Sequence, residues 1–223
     1  MKLADKILAF QKQLQISKRL PKGVKVLNPY QDETAFDLCK IFYKKFYDDN
    51  LSRTIILGIN PGRFGGGLTG IPFTDPTKLI QLGIDNQLDR RAELSSDFIY
   101  KVIDRFGGAE AFYQKFYFSS ISPLGFTKDG KNLNYYDVKE LPQLLNSFIL
   151  KCMNEQLDWG LNRKVCFCLG EGENFKFLKA LNEKENFFEE IIPLAHPRFV
   201  MQYKRKMLDG YLDDYIQKLN SAS

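Results

Sequence analysis

Apolar positions along the chain follow two periods, and the alternation between them predicts the fold. Leu3, Ile7, Phe10 and Leu14 recur at the spacing of one helical face and predict an amphipathic helix over residues 3–16. Leu20 to Gln31 is interrupted by Pro21, Gly23 and Pro29 and reads as irregular. Ala35, Cys39, Phe42 and Phe46 mark a second helix near 32–48. A short apolar run from Arg53 to Ile59 then predicts the first strand. Phe116–Ile121, Val165–Leu169 and Ile191–Leu194 predict three more. Helical patterns separate them. Residues 77–114 are helical in pieces, with Phe98, Val102 and Phe106 on one face and a break at Gly107-Gly108. Val138, Leu141, Leu145, Phe148 and Cys152 mark a helix near 137–157, and another follows at 173–182. The last helix carries Leu208, Leu212, Tyr215 and Leu219 on one face. Thr127 to Asn134 reads as a polar segment with Asp129-Gly130 as its turn.

Strands that are apolar without alternation are buried on both faces. With helices between them, the four predict an α/β protein: a four-stranded parallel sheet in a three-layer α/β/α sandwich, joined by right-handed crossovers. The loops leaving the carboxyl ends of such strands gather on one edge, where open α/β proteins keep their chemistry. Those loops begin at Asn60, Ser120, Gly170 and His196, and three of the four place a polar side chain at the strand end.

Composition narrows the function classes. The 223 residues are 44% hydrophobic, with no linker-like stretch or internal repeat, so one domain over 1–223 is expected, its N-terminal helices (1–50) packed on the core. A net charge of +5 and a pI near 8.9 are compatible with nucleic acid without requiring it. The four cysteines form no C-x-x-C and there is a single histidine, which argues against a metal site; Cys166 and Cys168 read as small core thiols. Neither a signal peptide nor a membrane-length apolar run is visible. A cytoplasmic, reduced monomer without cofactor, metal or membrane is the expectation.

The candidate chemistry concentrates in Gly58–Asp75, a loop far richer in Gly and Pro than the rest of the chain. Asn60, before Pro61, either forms a turn or holds a water or a substrate polar group. Gly62 suits positive φ or close ligand approach. Gly65-Gly66-Gly67 offers backbone N–H groups, but no Gly-Lys-Ser/Thr follows, so this is no P-loop. Phe73 is either a core anchor or a flat platform for a base. Gly170-x-Gly172 lacks the third glycine of a dinucleotide turn. His196 is structural or, uncharged, a donor to an anion forming on a substrate. Arg198 to Lys206 carries Arg198, Lys204, Arg205 and Lys206 with no acid. This stretch is a solvated face or, among Phe199, Met201 and Tyr203, a phosphate-gripping wedge.

Together these residues resemble the uracil-DNA glycosylase superfamily, in its single-strand-selective monofunctional (SMUG-type) branch. That branch has a first motif G-M-N-P-G-x-F-G-x-x-x-T-G-x-P-F. This chain has Gly58-Ile59-Asn60-Pro61-Gly62-Arg63-Phe64-Gly65 and then Thr69-Gly70-Ile71-Pro72-Phe73. The second motif begins His-Pro, here His196-Pro197, followed by a basic wedge loop. The resemblance covers about residues 50–220 and implies the same sandwich. It implies that Asn60 positions the attacking water and that His196 stabilises the charge on the leaving uracil. Phe73 would stack on the flipped base, Gly62 lie near its C5 edge, and the Ile59 N–H face a base carbonyl. Arg198 and Lys204–Lys206 would grip DNA that contains uracil or another damaged base. Two departures stand out. Where the family reads the base with an asparagine in an N-x-x-P-L context, this chain has Ser120-Ile121-Ser122-Pro123-Leu124; Asn132 and Asn134 are candidates to compensate. The loop after His196-Pro197 also lacks the family's Ser-Pro continuation. A non-catalytic nucleic-acid binder with a degenerate pocket is the alternative, and a small-molecule enzyme using the glycines for phosphate is a third reading.

Overall fold

The computed structural model describes residues 1–221. Seven strands form: β1 (Val24–Leu27), β2 (Thr54–Gly58), β3 (Phe116–Ser120), β4 (Gly125–Lys128), β5 (Lys131–Leu133), β6 (Asn162–Leu169) and β7 (Glu190–Leu194). Ten α-helices join them. α1 (Leu3–Gln13) and α2 (Glu33–Phe46) precede β2; α3 (Gly66–Thr69), α4 (Pro76–Gln81), α5 (Leu94–Phe106) and α6 (Ala109–Lys115) lie between β2 and β3. α7 (Leu141–Leu157), α8 (Glu173–Glu185), α9 (Pro197–Tyr203) and α10 (Leu208–Ser221) follow.

The four expected strands form one parallel sheet in the order β3-β2-β6-β7. Every residue of β2 and β3 is buried, so helices cover both sheet faces, as the unbroken apolar runs require. The register aligns the carboxyl ends. Gly58 pairs with Ser120, and Leu169 pairs with Leu194. Beyond the ladders, Ile121 N–H donates to the Gly58 carbonyl at 3.0 Å, and Gly170 N–H donates to Leu194 at 2.8 Å. Asn60, Ser120, Gly170 and His196 therefore leave from one edge. Tyr215 on α10 donates its hydroxyl to the Ala195 carbonyl, tying the last helix to the chain just before His196.

The segment read as polar and irregular is organised differently. β1, β4 and β5 form a second, antiparallel sheet, in the order β1-β4-β5. Its hairpin turns at Asp129-Gly130, where both residues have positive φ (50° and 71°), the backbone of a type I′ turn. These strands have only three or four residues and little buried surface, so no period-2 signal betrays them. The stretch after His196 is also not a loop: Pro197–Tyr203 is helical, and a short 3-10 turn at Arg205–Met207 leads into α10.

Candidate active site

One cavity of about 340 Å³ opens at the carboxyl edge of the parallel sheet. Ligand sites usually measure about 300–1,000 Å³, so this one falls at the small end of that range. Ile59, Asn60, Gly62, Phe73, Ser120, His196 and Arg198 all line it, bringing together residues more than 130 positions apart in the chain. Lys204, Arg205 and Lys206 are exposed and do not line the cavity.

Asn60 is fixed by three hydrogen bonds. Its Nδ2 donates to the Pro61 carbonyl and, across the fold, to the Leu133 carbonyl, each at 3.2 Å. Its Oδ1 accepts from Tyr135 N–H at 2.9 Å. Both amide hydrogens are spent, and one lone pair on Oδ1 remains to accept a hydrogen from a water or ligand. The hairpin and its continuation thus orient the residue at the end of β2. Asn60 is a held carboxamide rather than a turn-former.

Phe73 lies in the left-handed region at φ 55°, which costs a non-glycine residue on the order of 1–3 kcal/mol. Its ring packs against Phe118 (centroids 5.3 Å apart, tilted 52°) and lies over the end of β2. A Cβ on Gly58 would come within 2.9 Å of that ring, so the glycine is needed for the ring to lie there. Gly62 plays the same part for Asn132, whose Nδ2 would lie 2.9 Å from an added Cβ. Asn132 Oδ1 accepts from Arg63 N–H at 2.9 Å, and Asn134 bonds Asp137 through its backbone N–H and its Nδ2. Both asparagines line the cavity with part of their hydrogen-bonding capacity already committed.

Ser120 is buried at the end of β3, and its hydroxyl has no protein partner among the described residues. His196 caps α9: its Nδ1 accepts from Arg198 N–H at 3.2 Å. Nδ1 is therefore the acceptor and the proton of the neutral ring sits on Nε2. Burial, and after it the Arg198 charge, pull its pKa from the ordinary 6.5 down to about 4. The ring is thus an uncharged donor at neutral pH. The sign follows from the neutral form being favoured by folding: this contribution to stability is present above pH 6.5 and is lost as pH falls toward 4. Because the chain has one histidine, an NMR titration of its imidazole reads the site directly. A midpoint below about 5 is expected; a midpoint near 6.5 would contradict the half-buried, neutral ring.

Several lining residues have no signal in the sequence. Tyr30 arrives from the segment between β1 and α2, and Glu93 from the turn before α5. Burial, then the neighbouring Asp75 charge, raise the Glu93 carboxyl to about 7, against the pull of Arg198. Phe199 and Tyr203, exposed on one face of α9 with ring centroids 5.7 Å apart, form the rim, and Lys204 lies over the Phe199 ring. Across the site, the Phe64 ring is flanked by the guanidiniums of Arg63 and Arg91, at 4.7 and 4.0 Å from its centroid. The four cysteines are buried and free, and burial raises their thiols, so they belong to the core.

The family model of the uracil DNA glycosylase superfamily matches residues 44–220, about four-fifths of the chain. The chain belongs to the uracil DNA glycosylase superfamily. Among solved structures of this superfamily, the crystal structure of wild-type Pedobacter heparinus SMUG2 is similar over 100% of this chain and 98% of that one. It shares 46% identity, with a TM-score of 0.97. No curated protein matches the chain. The likeness to a SMUG-type uracil DNA glycosylase extends over residues 1–50, further than the motifs alone imply. The packing agrees, since β1 pairs with β4 and Tyr30 lines the cavity. Among the described residues no helix is long and apolar enough to cross a membrane.

Proposed function

We propose that the chain is a monofunctional DNA glycosylase that excises uracil, or a related deaminated base, by hydrolysing the N-glycosidic bond, as in base excision repair. One observation carries the reading. A carboxamide with a free acceptor lone pair, a neutral imidazole with its proton on Nε2, and an aromatic face share a single cavity at the strand ends.

A base inside a duplex cannot reach such a cavity and must first leave the stack. Phe73 offers its face to the extruded base, with Gly62 leaving room at one edge and the Ile59 N–H facing a carbonyl. As the glycosidic bond breaks, its electron pair goes to the base and positive charge grows on the sugar. His196 donates a hydrogen bond from Nε2 to the charged base, an interaction stronger in the transition state than in the ground state. A water held by Asn60 Oδ1 bonds to the sugar carbon, and one of its protons ends on the departed base. Among the described residues no lysine lines the cavity, so a Schiff base and strand cleavage are not part of this mechanism. Arg198, Lys204, Arg205 and Lys206 grip phosphates while Phe199 and Tyr203 sit at the rim, where unstacking occurs. Affinity for DNA should accordingly weaken steeply with salt.

Ser120 sets the base range. A carboxamide presents a donor and an acceptor side by side, matching O4 and N3–H of uracil, whereas a lone hydroxyl shares both roles. A panel of single-stranded oligonucleotides, each with one modified base, run against wild type and Ser120→Asn, tests this. Wild type should release uracil, and the variant should change relative rates between bases by about tenfold, the worth of a rearranged polar contact. An unchanged panel would remove Ser120 from base reading. Wild type inert on every base would favour the non-catalytic binder.

A further inference from the structure

A second, smaller cavity adjoins the first: Tyr30, Pro61, Pro72 and Ser120 line both. It has about 10 Å³ of room for the centre of a water molecule. A single water needs about 10–15 Å³ by that measure, with two to four polar partners. Gln11, from α1, lines this cavity and is 3% exposed. Its Oε1 is the one fully buried side-chain oxygen or nitrogen without a hydrogen-bond partner among the described residues. Burial raises the Tyr30 phenol, and the neighbouring Gln11 side chain offsets part of that rise. Gln11 Oε1 is thus open to a hydrogen-bond donor. Ser119 in the same cavity is committed to Gln156 Oε1 at 2.6 Å, whereas the Ser120 hydroxyl has no protein partner.

We propose that one ordered water fills this cavity, donating to Gln11 Oε1 and to Ser120 Oγ, and that Gln11 is thereby a positioning residue for base recognition. The proposal rests on the reading that Ser120 faces the extruded base. A serine hydroxyl rotates freely and fixes no direction by itself. Gln11 Oε1 only accepts, so it takes one hydrogen of the water, and the other goes to Ser120 Oγ. The hydroxyl hydrogen is then turned into the pocket toward a base carbonyl, and the remaining lone pair of Oγ is left for a neighbouring base N–H. Serine and water together reproduce the donor and acceptor of a carboxamide. The N-terminal helix, remote in sequence from both motifs, enters base recognition from behind the pocket.

A double-mutant cycle tests this with Gln11→Met, which keeps length and removes the acceptor, and Ser120→Ala, alone and combined. The readout is the single-turnover rate of uracil release from a single-stranded oligonucleotide, with thermal unfolding followed in parallel. Gln11→Met should slow release by about 5–10-fold in the wild-type background, the worth of one oriented hydrogen bond. It should slow release by less than twofold once Ser120 is alanine. Equal losses in both backgrounds would make Gln11 merely structural and overturn the relay. Should Gln11→Met not fold, a wild-type crystal structure that resolves ordered water decides. A water within hydrogen-bond distance of both Gln11 Oε1 and Ser120 Oγ is expected, and its absence overturns the proposal. Wild type that releases no base would instead overturn the glycosylase reading on which the relay rests.

Discussion

Replacing Asn60 or His196 by Ala should slow uracil release by about 10²–10³-fold each, the usual loss when one preorganised polar contact to a reacting group is removed. Asn60→Ala removes the acceptor for the water and also three hydrogen bonds, two of them to Leu133 and Tyr135. Its effect on folding must therefore be read separately, by thermal unfolding. His196→Ala removes the Nε2 donor and the cap on α9. His196→Gln separates two chemistries. An amide donates a hydrogen bond but transfers no proton, so it should recover part of the rate if the imidazole acts as an uncharged donor. Wild-type-like rates in both alanine variants on a uracil-containing single strand would remove both assignments.

Arg53→Ala should lower stability by about 3–5 kcal/mol, the range for truncating a large buried side chain to alanine. Arg53 stands at the entry to β2 with no exposed side-chain surface. Nε donates to the Tyr113 carbonyl at 2.7 Å, Nη1 to Asp49 and the Leu51 carbonyl, and Nη2 to Asp49 and the Phe46 carbonyl. The guanidinium lies 4.8 Å from the Tyr47 ring centroid. One side chain therefore ties α2, α6 and the start of β2 together. Alanine would leave a cavity and orphan the buried Tyr113 and Phe46 carbonyls. Asp49 is partly exposed, so its abandoned charge finds water and adds little. The midpoint and slope of urea unfolding check the figure. A loss below about 1 kcal/mol would mean that the surroundings relax around the gap. The Arg53 hydrogen bonds also hold the Asp49 carboxyl below its ordinary range, so that contribution is lost as acid protonates it.

The parallel sheet was legible because its strands are buried on both faces and so carry unbroken apolar runs. The hairpin β4–β5 was not, although Asp129-Gly130 marked its turn. Its strands bury too little to leave a pattern, and Asn60 is held from this side by backbone groups, the Leu133 carbonyl and the Tyr135 N–H, which any residue carries. The helix α9 was missed for another reason. His196-Pro197 looks like a breaker, yet proline at the first helical position suits a helix start, and the His196 ring supplies the cap. Arg198 and Phe199 are consequently presented on a helix, not on a loop. Asn60, Phe73 and His196 could be singled out because strand ends and motif spacing mark them. Tyr30 and Glu93 reach the same pocket, and Gln11 the small cavity behind it, from elements whose periodicity speaks only of packing, and side-chain contacts of that kind are set by tertiary structure alone.

The most direct test of the hydrolytic reading is to incubate wild-type protein with a single-stranded oligonucleotide carrying one uracil and to analyse both products. Free uracil and an intact strand with an abasic site, broken only by later alkali, are the expected result. No free uracil with DNA bound, or a strand cut without alkali, would contradict monofunctional hydrolysis at the cavity formed by Asn60, Phe73, Ser120 and His196.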